Sequence, residues 1–324
     1  MALGDLRAVQ AVDDLIEVLV KDWCAEVRAS AASALGEISA SQAIPYLIQA
    51  LGSVILNVKK NAVQALVKMG QEALEPLTQA LSHPDPEVRK QVVWALGERR
   101  EVGSLRPLLL ALKDDDWEVR QGAAEALGKI DRQWPASPQA VAVVPQLIEA
   151  LDKQALRPWV SRILLKIGKP AVPFLSRSLR TAPLDTQPFI AWLLGEIRDR
   201  QAFPELLEAF LFGQEATAEA AATALQNLDP NWHLRPEARK FLPQLSQLLK
   251  DPEPERRRRG ARALGIFRDS SAIPDLLEAL ADTETVQAEA AAALAAITGK
   301  NFGKDLSRWQ KWWRVHQGRY SQVS

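Results

Sequence analysis

The stretch PLLLALKDDDWEVRQGAAEALG, residues 107–128, decides the fold. Its first part sets Leu108, Leu109 and Leu112 at helical spacing with Leu105 just upstream, and its second part does the same with Val119, Ala123, Ala126, Leu127 and then Ile130. Apolar residues three and four apart form the stripe of an amphipathic helix, and no strand-like alternation competes. Pro107 falls in the first turn of the first helix, where a missing N–H costs nothing, while Asp114, Asp115 and Asp116 stand where the second helix needs a cap. The unit is a helical hairpin. Neither helix buries its stripe alone, so the hairpin requires neighbours of its own kind.

The chain supplies them. A proline shortly followed by Leu-x-x-Ala-Leu, then an acidic turn, then a helix closing on a leucine, recurs along its length. Aligning that closing leucine gives Leu35, Leu66, Leu96, Leu127, Leu164, Leu194, Leu225, Leu264 and Leu294, and prolines 45, 76, 107, 145, 173, 204, 243 and 274 keep the same beat. Two steps are longer than the rest and mark insertions, Asp131 to Ala140 and Asp229 to Arg239. The expected architecture is all-α: a right-handed α-solenoid of about nine hairpins over residues 1–297, second helices lining the inner curve, closed by a Trp-rich capping helix and tail over residues 298–324.

Composition limits what such a stack does. The 324 residues carry 40 Lys and Arg against 40 Asp and Glu, so no global field draws in nucleic acid or anionic lipid. One cysteine, Cys24, makes no internal disulfide, and the start lacks the basic and apolar regions of a signal peptide, which points to the cytoplasm. Charged residues interrupt every apolar run before it could span a bilayer.

The repeat resembles the HEAT family in its short bacterial form, with HEAT-like repeats of the kind found in E/F-type phycobilin lyases. Asp22 before Val27-Arg28, Asp114 before Val119-Arg120 and Asp251 six residues before Arg257 carry the likeness. In that pattern the recurrent arginines, Arg28, Arg89, Arg120, Arg157 and Arg257, form a structural ladder between adjacent units. The resemblance also implies a second functional reading, a lyase subunit or chaperone handling a bilin and its phycobiliprotein. Trp159, Trp192 and Arg162 would then stack on and pair with the pigment. Ankyrin and tetratricopeptide signatures do not recur at any fixed register.

Departures from the repeat mark candidate sites. In repeats five and six Pro158 and Pro188 replace Lys90 or Gln121 of other copies, so both second helices should start about a turn late. The groove stripe, five and two residues before the register leucine, is small or polar in early copies such as Ser30 and Asn61. It becomes Trp159, Arg162, Phe189 and Trp192 here, joined by Trp94. Large aromatics on a concave face grip a peptide, a pigment or a base, although filling space beside the shortened helices is an equal reading. A second patch, Arg258, Arg259 and Arg262, offers charge to an acidic or phosphate-bearing partner, with a solvated charged face as the plainer reading.

Residues 2–9 match residues 95–102, so the chain should open at the end of a second helix, with further repeats or a partner covering that end. His83, His233 and His316 are scattered, and the paired His-Glu dipeptides of HEAT-type iron hydroxylases are absent; no phosphate loop or nucleophile elbow occurs. No catalytic, metal or cofactor residues are therefore assigned. The sequence points to a non-catalytic scaffold holding a protein or peptide in its groove. Nucleic-acid binding, as in HEAT-like DNA glycosylases, is a third reading disfavoured by the neutral charge.

Overall fold

The computed structural model describes residues 2–320, with side chains described from Ala11 to Arg319; residues 321–324 of the expected tail lie outside the described residues. Every regular element among them is helical. Nine hairpins follow in order: α1 (Ala2–Lys21) with α2 (Ala25–Ile38), α3 (Ile44–Ala50) with α4 (Leu56–Lys68), α5 (Leu74–Ala80) with α6 (Pro86–Arg99), and α7 (Leu105–Ala111) with α8 (Trp117–Ile130). After a short α9 (Pro138–Ala142) come α10 (Val144–Glu149) with α11 (Arg157–Ile167), α12 (Val172–Thr181) with α13 (Gln187–Ile197), and α14 (Phe203–Phe212) with α15 (Glu215–Leu228). A second short helix, α16 (Pro236–Arg239), precedes α17 (Leu242–Leu248) with α18 (Pro254–Phe267), α19 (Ile273–Ala279) with α20 (Glu284–Thr298), and a final α21 (Leu306–Tyr320). This is the α-solenoid class, and the chain divides into two compact units, residues 1–174 and 175–324.

All nine register leucines are buried, none more than 1% exposed, so each second helix turns the same edge to the core. Glycine sets how closely those helices approach. A Cβ on Gly36 would stand 2.5 Å from Ala65 Cα, one on Gly97 2.7 Å from Ala126 Cβ, one on Gly195 2.7 Å from Ala224 Cα and one on Gly265 2.9 Å from Ala293 Cα. Gly follows the register leucine in one copy and Ala precedes it in the next, so α2 seats on α4 and α6 on α8 in the first unit, and α13 on α15 and α18 on α20 in the second. Helices α11 and α13 each have 11 residues where α6, α8, α15 and α18 have 14, because Pro158 and Pro188 are accommodated only in a first turn.

The two insertions share a pattern, Asp-x-x-Trp-x-x-x-Pro, at Asp131–Pro138 and Asp229–Pro236. In each, the aspartate accepts a bond from the backbone N–H two residues on, Gln133 or Asn231, and the tryptophan is buried. Trp232 meets the edges of Phe210 and Phe267 with ring centroids 5.5 and 5.4 Å apart.

Three expectations change. Of the aspartate triplet, only Asp116 caps α8, accepting from Glu118 and Val119 N–H; Asp114 takes Arg89, and Asp115 takes Lys153. Helix α1 runs unbroken where a helix end was expected: in the matching copy the helix stops at Arg99 and Arg100 turns left-handed, whereas α1 continues through the corresponding Leu6 and Arg7. The arginine ladder is incomplete. Arg89 and Arg257 each bind an aspartate of the following hairpin, Asp114 and Asp282, and Arg120 holds the Asp114 and Asp115 carbonyls. Arg28 does neither, because Ser53 occupies the place of the next aspartate.

At the far end, Trp309 of α21 is fully buried, donates Nε1–H to Gly303 O at 2.8 Å and meets Phe302 edge-on, while α21 packs on α19.

Candidate binding grooves

In the first unit, the second helices α4, α6 and α8 enclose an open groove of about 620 Å³. Trp94 rises from α6, two residues before Leu96, and is 40% exposed; Trp117, the first residue of α8, is 60% exposed, and Leu56, the first of α4, is 59% exposed. These apolar surfaces stand in a lattice of alternating charge. Lys59 of α4 binds Glu87 of α6 at 2.5 Å, Glu87 binds Lys90 at 2.7 Å, and Lys90 reaches Glu118 of α8 at 2.8 Å. Burial pushes the Glu87 carboxyl up, yet hydrogen bonds from Lys59, Lys90 and Gln91 outweigh it and hold it down at about 2. Bonds to Glu118 and Glu87 raise the Lys90 ammonium above its ordinary value. The lattice is fixed at neutral pH, and the tryptophan faces remain its open apolar surface.

Trp117 was not among the sequence candidates. It lies ten residues before its register leucine, as Leu56 does, rather than five or two. The available signal was that a helix's first residue is covered only by its own loop.

The sequence-derived aromatic cluster divides between the units. Trp159 and Arg162 belong to the first, on α11; the Arg162 guanidinium lies 5.9 Å from the Trp159 ring centroid, and the buried Trp159 Nε1 has no acceptor among the described residues. Phe189 and Trp192 belong to the second, on α13, and are 38% and 41% exposed.

In the second unit the arginine run of α18 meets acids. Arg258 pairs with Glu215 of α15 at 2.5 Å, Glu255 at 2.9 Å and Glu289 of α20 at 3.5 Å. Those hydrogen bonds, Glu215's first, raise its guanidinium above the ordinary value. Arg259 donates to Gly213 O, with Glu215 3.8 Å away. Arg262 is the most exposed of the three, faces Glu219 at 3.9 Å, and lines a groove of about 730 Å³ with Gln226, His233 and Glu289. Burial, then the charge of Arg268, lowers the His233 imidazole. No cluster of His, Cys, Asp or Glu among the described residues could hold a metal ion, and no described helix is long and apolar enough to cross a membrane.

Comparison with protein families matches HEAT repeats over residues 12–81, 74–144, 105–187 and 232–295, and a phycobilisome (PBS) lyase HEAT-like repeat over residues 189–212. No curated protein matches the chain. Among solved structures, human deoxyhypusine hydroxylase in complex with glycerol is similar at 21% identity, covering 82% of this chain and 99% of that one with a TM-score of 0.36, a likeness that carries no functional argument. The HEAT matches cover well over half of the sequence and coincide with hairpins whose register leucines are buried; the chain belongs to the HEAT-repeat proteins.

Proposed function

We propose that the protein is a non-catalytic binding scaffold that holds a protein segment against its second-helix faces. One observation carries this reading: Trp94 and Trp117 stay half-exposed on the walls of one groove although a full hydrophobic core lies directly beneath them. Exposed tryptophans flanking a groove are the usual anchors of a protein interface, where their burial contributes more than the surrounding polar rim. The Lys59–Glu87–Lys90–Glu118 lattice supplies that rim. Trp159, Arg162, Phe189, Trp192 and Arg262 extend the binding faces, whereas Arg258 and Arg259 serve chiefly to tie α18 to α15. Residues 298–320 cap the final hairpin, a reading supported by the burial of Trp309.

The test is affinity capture from the native cell with the parent, with Trp94→Ala/Trp117→Ala, and with Trp23→Ala as a control for an exposed tryptophan elsewhere. A partner lost only with the double substitution supports the groove. A partner retained by it removes the groove from the interface.

The match of residues 189–212 to a PBS lyase HEAT-like repeat favours a second reading, a bilin-handling subunit. Absorbance of added bilin together with tryptophan quenching tests it, and an unchanged spectrum at saturating pigment rejects it.

A further inference from the structure

The ladder provides its own template for a ligand site. Where it is complete, the guanidinium bonds the carboxylate of the next hairpin and the carbonyls of its own turn: Arg89 to Asp114, His83 O and Pro84 O, and Arg257 to Asp282, Asp251 O and Pro252 O. The carboxylate lies 25 residues after the arginine in both cases. At the same offset from Arg28 stands Ser53.

Ser53 keeps half of the aspartate's role. Its Oγ accepts from Ile55 N–H at 3.2 Å, just as Asp114 Oδ1 accepts from Asp116 N–H and Asp251 Oδ1 from Glu253 N–H, both at 2.9 Å. The turn is therefore preserved, and what is missing is the anionic oxygen pair. Arg28 is left with a buried Nε that has no partner, and no described carboxylate pairs with its guanidinium. The side chain as a whole is partly exposed, and a guanidinium that meets open space without a counterion is a ready partner for an anion.

The space beside it is open. Arg28 and Ser53 line a groove of about 460 Å³ together with Val20, Tyr46, His83 and Asp85. Val20 and Tyr46 are 47% and 41% exposed, giving an apolar wall. The nearby acids are turned to backbone: Asp22 accepts from Cys24 N–H at 2.7 Å, and Asp85 caps α6 through Glu87 N–H at 2.9 Å.

We propose that Arg28 anchors a binding site for a carboxylate, which takes the position that Asp114 and Asp282 occupy elsewhere in the ladder. The ligand is a small organic acid or an aspartate or glutamate of a protein segment, its apolar neighbour resting on Val20 and Tyr46. A planar guanidinium fork matches a carboxylate in two parallel bonds, as Arg89 and Arg257 already display. This site stands apart from the tryptophan groove and does not depend on it.

The experiment follows arginine Nε–H signals in the ¹⁵N-labelled chain during titration with sodium acetate, N-acetyl-aspartyl-leucinamide, inorganic phosphate and sodium chloride at matched ionic strength. One signal should shift saturably with acetate or the peptide; whichever saturates at lower concentration identifies the source. Arg28→Lys should remove that signal. Ser53→Asp should place it at the shifted position from the outset, abolish the response and raise the thermal midpoint, whereas Ser53→Asn, which keeps the turn bond without the charge, should leave the response intact. A shift no larger than that with chloride, an equal response to phosphate, or an undiminished response in Ser53→Asp would overturn the proposal.

Discussion

Arg89 reaches from the third hairpin to Asp114 in the fourth with two parallel bonds, Nε and Nη2 each 2.8 Å from a carboxylate oxygen. Its third nitrogen holds the His83 and Pro84 carbonyls of its own turn, so one side chain fixes both the turn and the spacing of adjacent hairpins. Both partners are largely covered, at 14% and 11% side-chain exposure, which separates the pair from an ordinary surface salt bridge.

Arg89→Ala should therefore destabilise by about 2–3 kcal/mol, because Asp114 is left covered without its counterion. Adding Asp114→Ala should cost less than the sum of the two single changes. A double-mutant cycle by urea denaturation measures the coupling, and strict additivity would mean that the two residues act independently.

Glu87 predicts an acid response with a definite sign. Its carboxyl is held at about 2, below the ordinary 4.5, so its contribution is fully present above the ordinary value and is lost as pH falls toward the folded one. Glu87→Gln should lose less stability than the parent between about pH 5 and about pH 2.5, by about 1 kcal/mol once solvent screening of this partly exposed group is included. Denaturant midpoints at the two pH values decide it, and identical acid slopes would refute the assignment.

Gly97 and Gly128 should behave oppositely although both follow a register leucine. A methyl on Gly97 would enter the Ala126 side chain at 2.7 Å and its backbone at 3.1 Å, so Gly97→Ala should cost about 1–3 kcal/mol. A methyl on Gly128 meets nothing within 4 Å, and Gly128→Ala should stabilise by about 0.5–1 kcal/mol through helix propensity. Thermal midpoints moving the same way in both variants would contradict the close seating of α6 on α8.

Within the arginine run, Arg262→Glu should leave stability unchanged within about 0.5 kcal/mol, since it is more exposed than Arg258 and Arg259 and its ion pair is long. Arg259→Glu should destabilise by about 2–4 kcal/mol, because a carboxylate there would face Gly213 O and Glu215 with no donor. Circular dichroism melts of both variants compare them directly, and equal melting would place Arg259 at the surface as well.

The sequence by itself determined the hairpin, its period, the core register and the late start of α11 and α13. Those features follow from the 3.6-residue turn and from the stereochemistry of proline, both of which act within a few residues. Trp94 was legible as a groove residue because a position two before the register leucine points about 200° away from it round the helix, off the core face. Tertiary structure alone decided which charge meets which: Arg258 is neutralised by Glu215, 43 residues upstream, and Arg28 is left without an acid only because Ser53 lies opposite it. Trp117 came to the groove the same way, through the seating of α8 against α6. How one hairpin rotates on the next is set by contacts such as Gly97 on Ala126, and a small change in that rotation re-pairs every long side chain at the junction.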